Sequence, residues 1–171
     1  MEGIPLATHE GNRRVLNSQN ARILTAVYFG LLAVVFTLLL DATLYVLGIP
    51  ELIPLFEGTL LAMFVASVFA YFFGDKIINA PKPFATQVFV AGFMMTISAL
   101  PFYILGFTFF YLFNHPDFIM HITMLAFLKA YTFILLYGFI LIGVWLAVIA
   151  GLAALYLRSR ISYYVVDSLD D

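Results

Sequence analysis

The sequence alternates between long apolar stretches and short polar segments. Polar residues dominate positions 1–22, and apolar stretches follow at about 23–47, 55–73, 84–113 and 122–157. A transmembrane helix needs about 20 predominantly apolar residues, so each stretch is long enough to span a bilayer. The pattern therefore predicts an all-α integral membrane protein, a four-helix transmembrane bundle covering residues 23–157.

Turn-forming residues separate the predicted spans. Gly48 and Pro50 follow span 1, and Gly74 with the charged pair after it follows span 2. The uncharged stretch around span 3 would be about 50 Å long as one straight helix, against a hydrocarbon core of about 30 Å. We expect span 3 to be kinked at Pro101, because proline removes a backbone hydrogen bond inside a helix.

Basic residues lie on one side of the predicted spans. Seven of the eight lysines and arginines precede span 1, join spans 2 and 3, or follow span 4: Arg13, Arg14, Arg22, Lys76, Lys82, Arg158 and Arg160. Cytoplasmic segments of membrane proteins are enriched in such residues. We therefore expect both tails, residues 1–22 and 158–171, to be cytoplasmic. The small size and clear topology favour a bacterial inner membrane, and no cleaved signal peptide is predicted.

Composition excludes several classes of protein. Apolar residues make up 64% of the chain and charged residues 11%, and the mean hydropathy is +1.04, far from the averages of soluble domains. The absence of cysteine excludes disulfide and thiol chemistry. A net charge of −2 argues against a nucleic-acid partner. The expected surroundings are the lipid bilayer and other membrane proteins.

Three charged residues near the spans are candidates for function. Asp41 and Glu57 each lie nineteen residues from a basic residue at the cytoplasmic boundary, which is about 28 Å of helix. Lys129 lies about 43 Å from Arg158 on the same reckoning. All three are therefore expected near the outer edge of the hydrocarbon core. We favour an interfacial ion-pair cluster; a gate or ion site is the alternative, and three unrelated solvated charges are the third interpretation.

Small residues recur every four positions in two spans. Span 2 carries one such seam and span 4 carries another, and each seam keeps to one helix face. We expect the two seams to pack against each other within the chain, or one of them to receive a helix from a partner or a second copy. The residues are Ala62, Ala66, Ala70 and Gly74 in span 2, and Gly143, Ala147 and Gly151 in span 4.

The search for catalytic chemistry finds little. His115, Asp117 and His121 are weak metal candidates, for which a helix start with local side-chain pairing is the preferred interpretation. Haem would need an axial ligand within a span, and the spans contain no histidine. No nucleophile motif or phosphate-binding loop occurs. We expect no cofactor and no metal.

The leading functional hypothesis is a non-enzymatic protein that works by association. It would be an accessory or assembly subunit of a larger membrane complex, or a homo-oligomer. The alternative is a small oligomeric transporter or channel gated by Asp41, Glu57 and Lys129. A less favoured third hypothesis is an enzyme acting on lipid or quinone at the outer face.

Overall fold

The structure, a computed structural model, describes residues 17–48, 54–81, 83–116 and 123–167, with side chains as far as residue 161. Across these ranges the regular elements are helices and no strand is present. Four helices are long and apolar enough to cross a membrane. The predicted all-helical class, and the presence of four helices long and apolar enough to span a membrane, are therefore confirmed.

The fourth span consists of two α-helices joined by one wider turn of π-helix. The elements in chain order are α1 Ser18–Val46, α2 Leu55–Ile78, α3 Ala85–Asn114, α4 Met124–Gly138, the π-helical turn Phe139–Gly143, and α5 Val144–Asp167. The last helix extends beyond residue 157, where the fourth span was expected to end, and carries Arg158 and Arg160 as part of the helix.

Side chains cap two of the helix starts. The Asn17 side chain accepts a hydrogen bond from the backbone N–H of Gln19 at the start of α1. The hydroxyl of Thr123 accepts one from Ala126 at the start of α4. Both bonds satisfy N–H groups that have no partner within the helix.

Gly74 lies inside α2, which continues to Ile78, past the predicted end at Phe73. A Cβ atom at this position would lie 2.7 Å from the Cα of Arg22 and 3.1 Å from the carbonyl oxygen of Ala21. The glycine therefore allows the backbones of α1 and α2 to approach closely. It serves helix packing, which is why it does not end the helix as expected.

The helices form an antiparallel row in chain order. α1 packs on α2, α2 on α3, and α3 on α5, with a smaller contact between α2 and α5. The Cα atoms of α1 come within 8 Å of those of α2 and of no other helix in the described ranges. The row has a basic end, where Arg22, Lys76 and Arg158 lie, and an open end, where Asp41 and Glu57 lie.

The two ends differ in packing. The main cluster of buried apolar residues is concentrated towards the basic end, where it draws on α1, α2, α3 and α5 and includes Ala21, Ala70, Ile77, Val88, Ala154 and Leu157. By contrast, no residue of α4 is buried. The apolar packing is thus most extensive at the basic end, while α2 and α3 also stay in contact at the open end.

Pro101 lies within α3, which is one continuous helix. Proline has no N–H group, so the carbonyl four residues earlier loses its usual partner. The carbonyl oxygen of Pro101 itself accepts a hydrogen bond from the Tyr131 hydroxyl of α4 at 3.1 Å. The kink at Pro101 stays a prediction, and Pro101 additionally joins α3 to α4.

Candidate functional site

A cavity of about 880 Å³ lies between the helices, mostly towards the open end. Side chains from α1, α2, α3 and the fourth span line it, although the backbone of α1 does not approach that span. The wall is mostly apolar and includes small residues of α2. The lining includes Asp41 of α1, Ala62 and Ala66 of α2, Ala99 of α3 and Gly138 of α4.

The polar groups of the cavity wall differ in whether they have partners. The hydroxyls of Thr37 and Thr96 donate to carbonyls of their own helices, those of Ala33 and Gly92. The half-buried carboxylate of Asp41 forms no hydrogen bond or ion pair with any residue that the structure describes. Asp41 is therefore the one unpaired acidic group on the described cavity wall.

The three charged candidates lie in different surroundings. Asp41 lines the cavity, Glu57 is half-buried in the first turn of α2, and Lys129 is exposed on α4. Within the described residues no nitrogen-to-oxygen distance of 4.0 Å or less joins Lys129 to either carboxylate. The predicted cluster is thus not assembled within the described part of this chain.

Glu57 instead contacts α3. The side-chain amide of Asn114 donates to Oε2 of Glu57 at 2.8 Å and to the carbonyl oxygen of Phe110 at 3.1 Å. This contact joins the start of α2 to the end of α3. Asn114 could not be identified as the partner from the sequence, because the two residues are far apart along the chain and belong to unrelated patterns.

The seam on α2 is divided between two surroundings. Its basic-end half packs tightly: Ala70 is fully buried, and Gly74 lies against α1. Ala62 and Ala66, by contrast, line the cavity. The seam therefore supports packing within the chain at one end and borders open space at the other.

The seam on the fourth span packs against α3. A Cβ atom on Gly151 would lie 2.7 Å from the ring of Phe89, and one on Gly143 would lie 2.8 Å from the side chain of Leu100. Ala147 is fully buried. At its tightest point the seam on α2 thus meets α1, and the seam on the fourth span meets α3. A smaller contact joins α2 and α5 directly.

Gly92 of α3 forms the other side of this contact. A Cβ atom there would lie 2.8 Å from both the carbonyl oxygen of Ala150 and the Cβ of Ala154. Gly92 was not recognised in the sequence because it does not belong to a repeat of small residues: the residues four positions away are Val88 and Thr96. A single glycine within an apolar helix does not by itself indicate an interface.

Arg158 is buried at the basic end, with only 5% of its surface exposed. Its Nη2 donates weakly to the carbonyl oxygen of Ala80 at 3.5 Å, and the guanidinium lies 5.0 Å from the centre of the Phe84 ring. Its Nε and Nη1 atoms are buried without hydrogen-bond partners among the residues that the structure describes. Arg158 therefore packs α5 against the connection between α2 and α3, a role beyond the topological one predicted.

The weak metal candidates are only partly described. Asp117 and His121 lie outside the described residues. Nδ1 of His115 is 3.0 Å from the carbonyl oxygen of Tyr111, and the two side-chain rings stack. In the part of the chain that the structure describes, no three His, Asp or Glu residues are grouped as metal ligands would be.

The π-helical turn lies where the fourth span changes from partly buried to largely exposed. On one side α5 packs on α3, and on the other α4 has no buried residue. Gly138, at the last position of α4, lines the cavity. Single π-helical turns within α-helices are frequent at functional sites, and this one borders the cavity.

No protein-family model, curated protein or solved structure matches the chain.

Proposed function

We propose that this chain is a non-enzymatic accessory or assembly subunit of a larger membrane complex. The observation that supports the proposal is the packing of α4. This helix of 15 residues has no buried residue, and one described hydrogen bond, from Tyr131, joins its side chains to α3. Helix association in lipid depends on close packing, so a helix that packs so little within its chain is free to pack on another subunit.

Mild-detergent extraction from the native membrane, followed by measurement of particle mass, tests this proposal. We expect a particle heavier than one chain plus its micelle. Leu128→Trp adds bulk to the exposed surface of α4 and should release the partner. Phe72→Trp changes a residue of α2 that is somewhat more exposed, 65% against 57%, and should leave the particle intact. An unchanged single-chain mass for all three proteins contradicts the proposal.

Placement in a bacterial inner membrane with both termini in the cytoplasm is part of the proposal. The position of Arg22, Lys76 and Arg158 at one end of the row supports it, because basic residues favour the cytoplasmic side. The chain lacks cysteine, so single cysteines can be introduced without background. Cysteines at Ser18 and Ser159 should react with an impermeant thiol reagent only after the cells are opened. Labelling of either one in intact cells contradicts this orientation.

A small oligomeric transporter or channel is the second candidate, favoured by Asp41 on the cavity wall, which has no partner among the described residues. Asp41→Asn should then abolish flux in proteoliposomes, and so should Lys129→Met if the predicted gate involves both charges. Glu57→Gln removes the charge but keeps an oxygen that can accept the Asn114 hydrogen bond. Its effect on flux therefore reports the charge of Glu57 rather than the contact with Asn114. Unchanged flux in both Asp41→Asn and Lys129→Met refutes the gate.

A further inference from the structure

The cavity has the size and wall chemistry of a small-molecule site. Its volume of about 880 Å³ lies within the range of about 300–1,000 Å³ that is usual for such sites. It extends along α1 from Phe29 to Tyr45, which is about 24 Å of helix. One leaflet of the hydrocarbon core is about 15 Å thick, so the cavity is long enough for a complete acyl chain.

The charged group of this wall is near one end of the cavity. Asp41 lies one helical turn from Tyr45, and Tyr45 is 81% exposed at the open end. From there the lining continues to Phe29, which is buried near the basic end, through mostly apolar and small residues, and the hydroxyls of Thr37 and Thr96 are bonded to their own helices. The site is therefore polar near its mouth and apolar along its depth, as is a molecule with a charged head and a hydrocarbon tail.

The charge of Asp41 determines which head group fits. Asp41 has no partner among the described residues, and a carboxylate left unpaired at membrane depth is costly, a cost that a cation beside it offsets. Lys129, the one described basic residue of α4, does not pair with it. We propose that the cavity binds a cationic amphiphile, with the ammonium or related head beside Asp41 and the apolar tail between the helices.

Cysteine protection tests the proposal on the purified protein in phosphatidylcholine nanodiscs. Ala99→Cys places a single thiol on the cavity wall, and Leu105→Cys places one on an exposed position of the same helix, outside the lining. The rate of maleimide labelling is measured with hexadecylamine, hexadecan-1-ol or hexadecanoic acid. These probes share one chain length and differ in the charge of the head.

We expect hexadecylamine to slow labelling of Ala99→Cys roughly tenfold more than the alcohol or the acid does, as suits a partly buried ion pair. Labelling of Leu105→Cys should change equally little with all three probes. Asp41→Asn added to Ala99→Cys should remove the advantage of the amine. Glu57→Gln, which changes a carboxylate at the same end but outside the cavity lining, should preserve it.

Several outcomes overturn the proposal. Equal protection by all three probes means that the cavity takes any hydrocarbon chain, including those of bilayer lipids. No protection by any probe means that the site is closed or filled by a protein helix. An amine effect that survives Asp41→Asn removes the assigned head-group contact. Because no partner protein is present in this experiment, its failure is distinguishable from failure of the association proposal.

Discussion

Gly92→Ala tests whether the close approach of α3 and α5 holds the row together. The added methyl group would lie 2.8 Å from both the Ala150 carbonyl oxygen and the Ala154 Cβ, and ordinary contact begins at 3.4 Å. The carbonyl belongs to the backbone and cannot rotate away, so α5 has to move. Overpacking of this kind costs about 1–3 kcal/mol, and the gain in helix propensity from glycine to alanine is about 1 kcal/mol. We expect a net loss of about 1 kcal/mol in the free energy of unfolding.

Gly138→Ala is the matched control for this prediction. A methyl group at position 138 would meet only Cδ1 of Ile104, at 3.3 Å, and that atom is the movable end of a flexible side chain. This variant should gain up to about 1 kcal/mol. The difference between the two variants therefore measures the overpacking of α3 against α5.

The assay is reversible unfolding in micelles of neutral detergent with increasing dodecyl sulfate, followed by far-ultraviolet circular dichroism. The order of stability should be Gly138→Ala, then the unmodified protein, then Gly92→Ala. If Gly92→Ala is as stable as Gly138→Ala, the contact between Gly92 and the Ala150 backbone is not part of the folded protein, and the reasoning fails.

Three further predictions concern side chains that join helices. Arg158→Ala should lower the free energy of unfolding by about 2 kcal/mol, because packing is lost. Arg158→Met fills the site without buried donors and should lie within about 1 kcal/mol of the unmodified protein; equal losses in the two variants would show that the guanidinium itself stabilises the fold. Tyr131→Phe should lower the free energy of unfolding by about 0.6 kcal/mol and speed amide hydrogen exchange in α4 but not in α5. Equal acceleration in both helices would contradict their separate packing. Asn114→Ala should cost under about 1 kcal/mol, because its contact with Glu57 is exposed, and Asn114→Gln should cost less; the reverse order in the same unfolding assay would argue against this hydrogen bond.

The spanning helices were predictable because few backbone conformations are possible in lipid. Every backbone polar group within a bilayer needs an internal partner, so an apolar stretch of sufficient length becomes a helix. The limits were less predictable. Gly74 has the residue type that often ends a helix, and its role as a packing surface becomes visible only beside the backbone of Arg22.

The neighbours of each seam could not be obtained from periodicity. A four-residue repeat places Ala70 and Gly74 on one face of a helix and says nothing of which helix that face meets. The expected principal contact between the two seams would have required α2 and the fourth span to lie together along their length. In the structure α1 occupies the face of α2 at Gly74, and α3 occupies the face of α5 at Gly151.

The cavity was not predicted because it depends on where the fourth span stops packing. Residues 139–143 have an ordinary apolar sequence, and nothing in their pattern indicates a π-helical turn. The same limit applies to Asp41 and Lys129. Counting helical rise placed both near one edge of the membrane, but the distance between their side chains depends on how far α4 separates from α1, which depth alone does not determine.

Packing between successive helices has a consequence for how the chain is made. As each helix leaves the ribosome and enters the bilayer, the neighbour on which it mainly packs is already there, so assembly can follow the order of synthesis. α1 and α2 can form a stable pair before α3 exists. The contact of Arg158 with the carbonyl oxygen of Ala80 reaches back past α3, and it can form only after all four spans have been translated. Formation of this contact is therefore a late step in biogenesis, and it completes the basic end of the row.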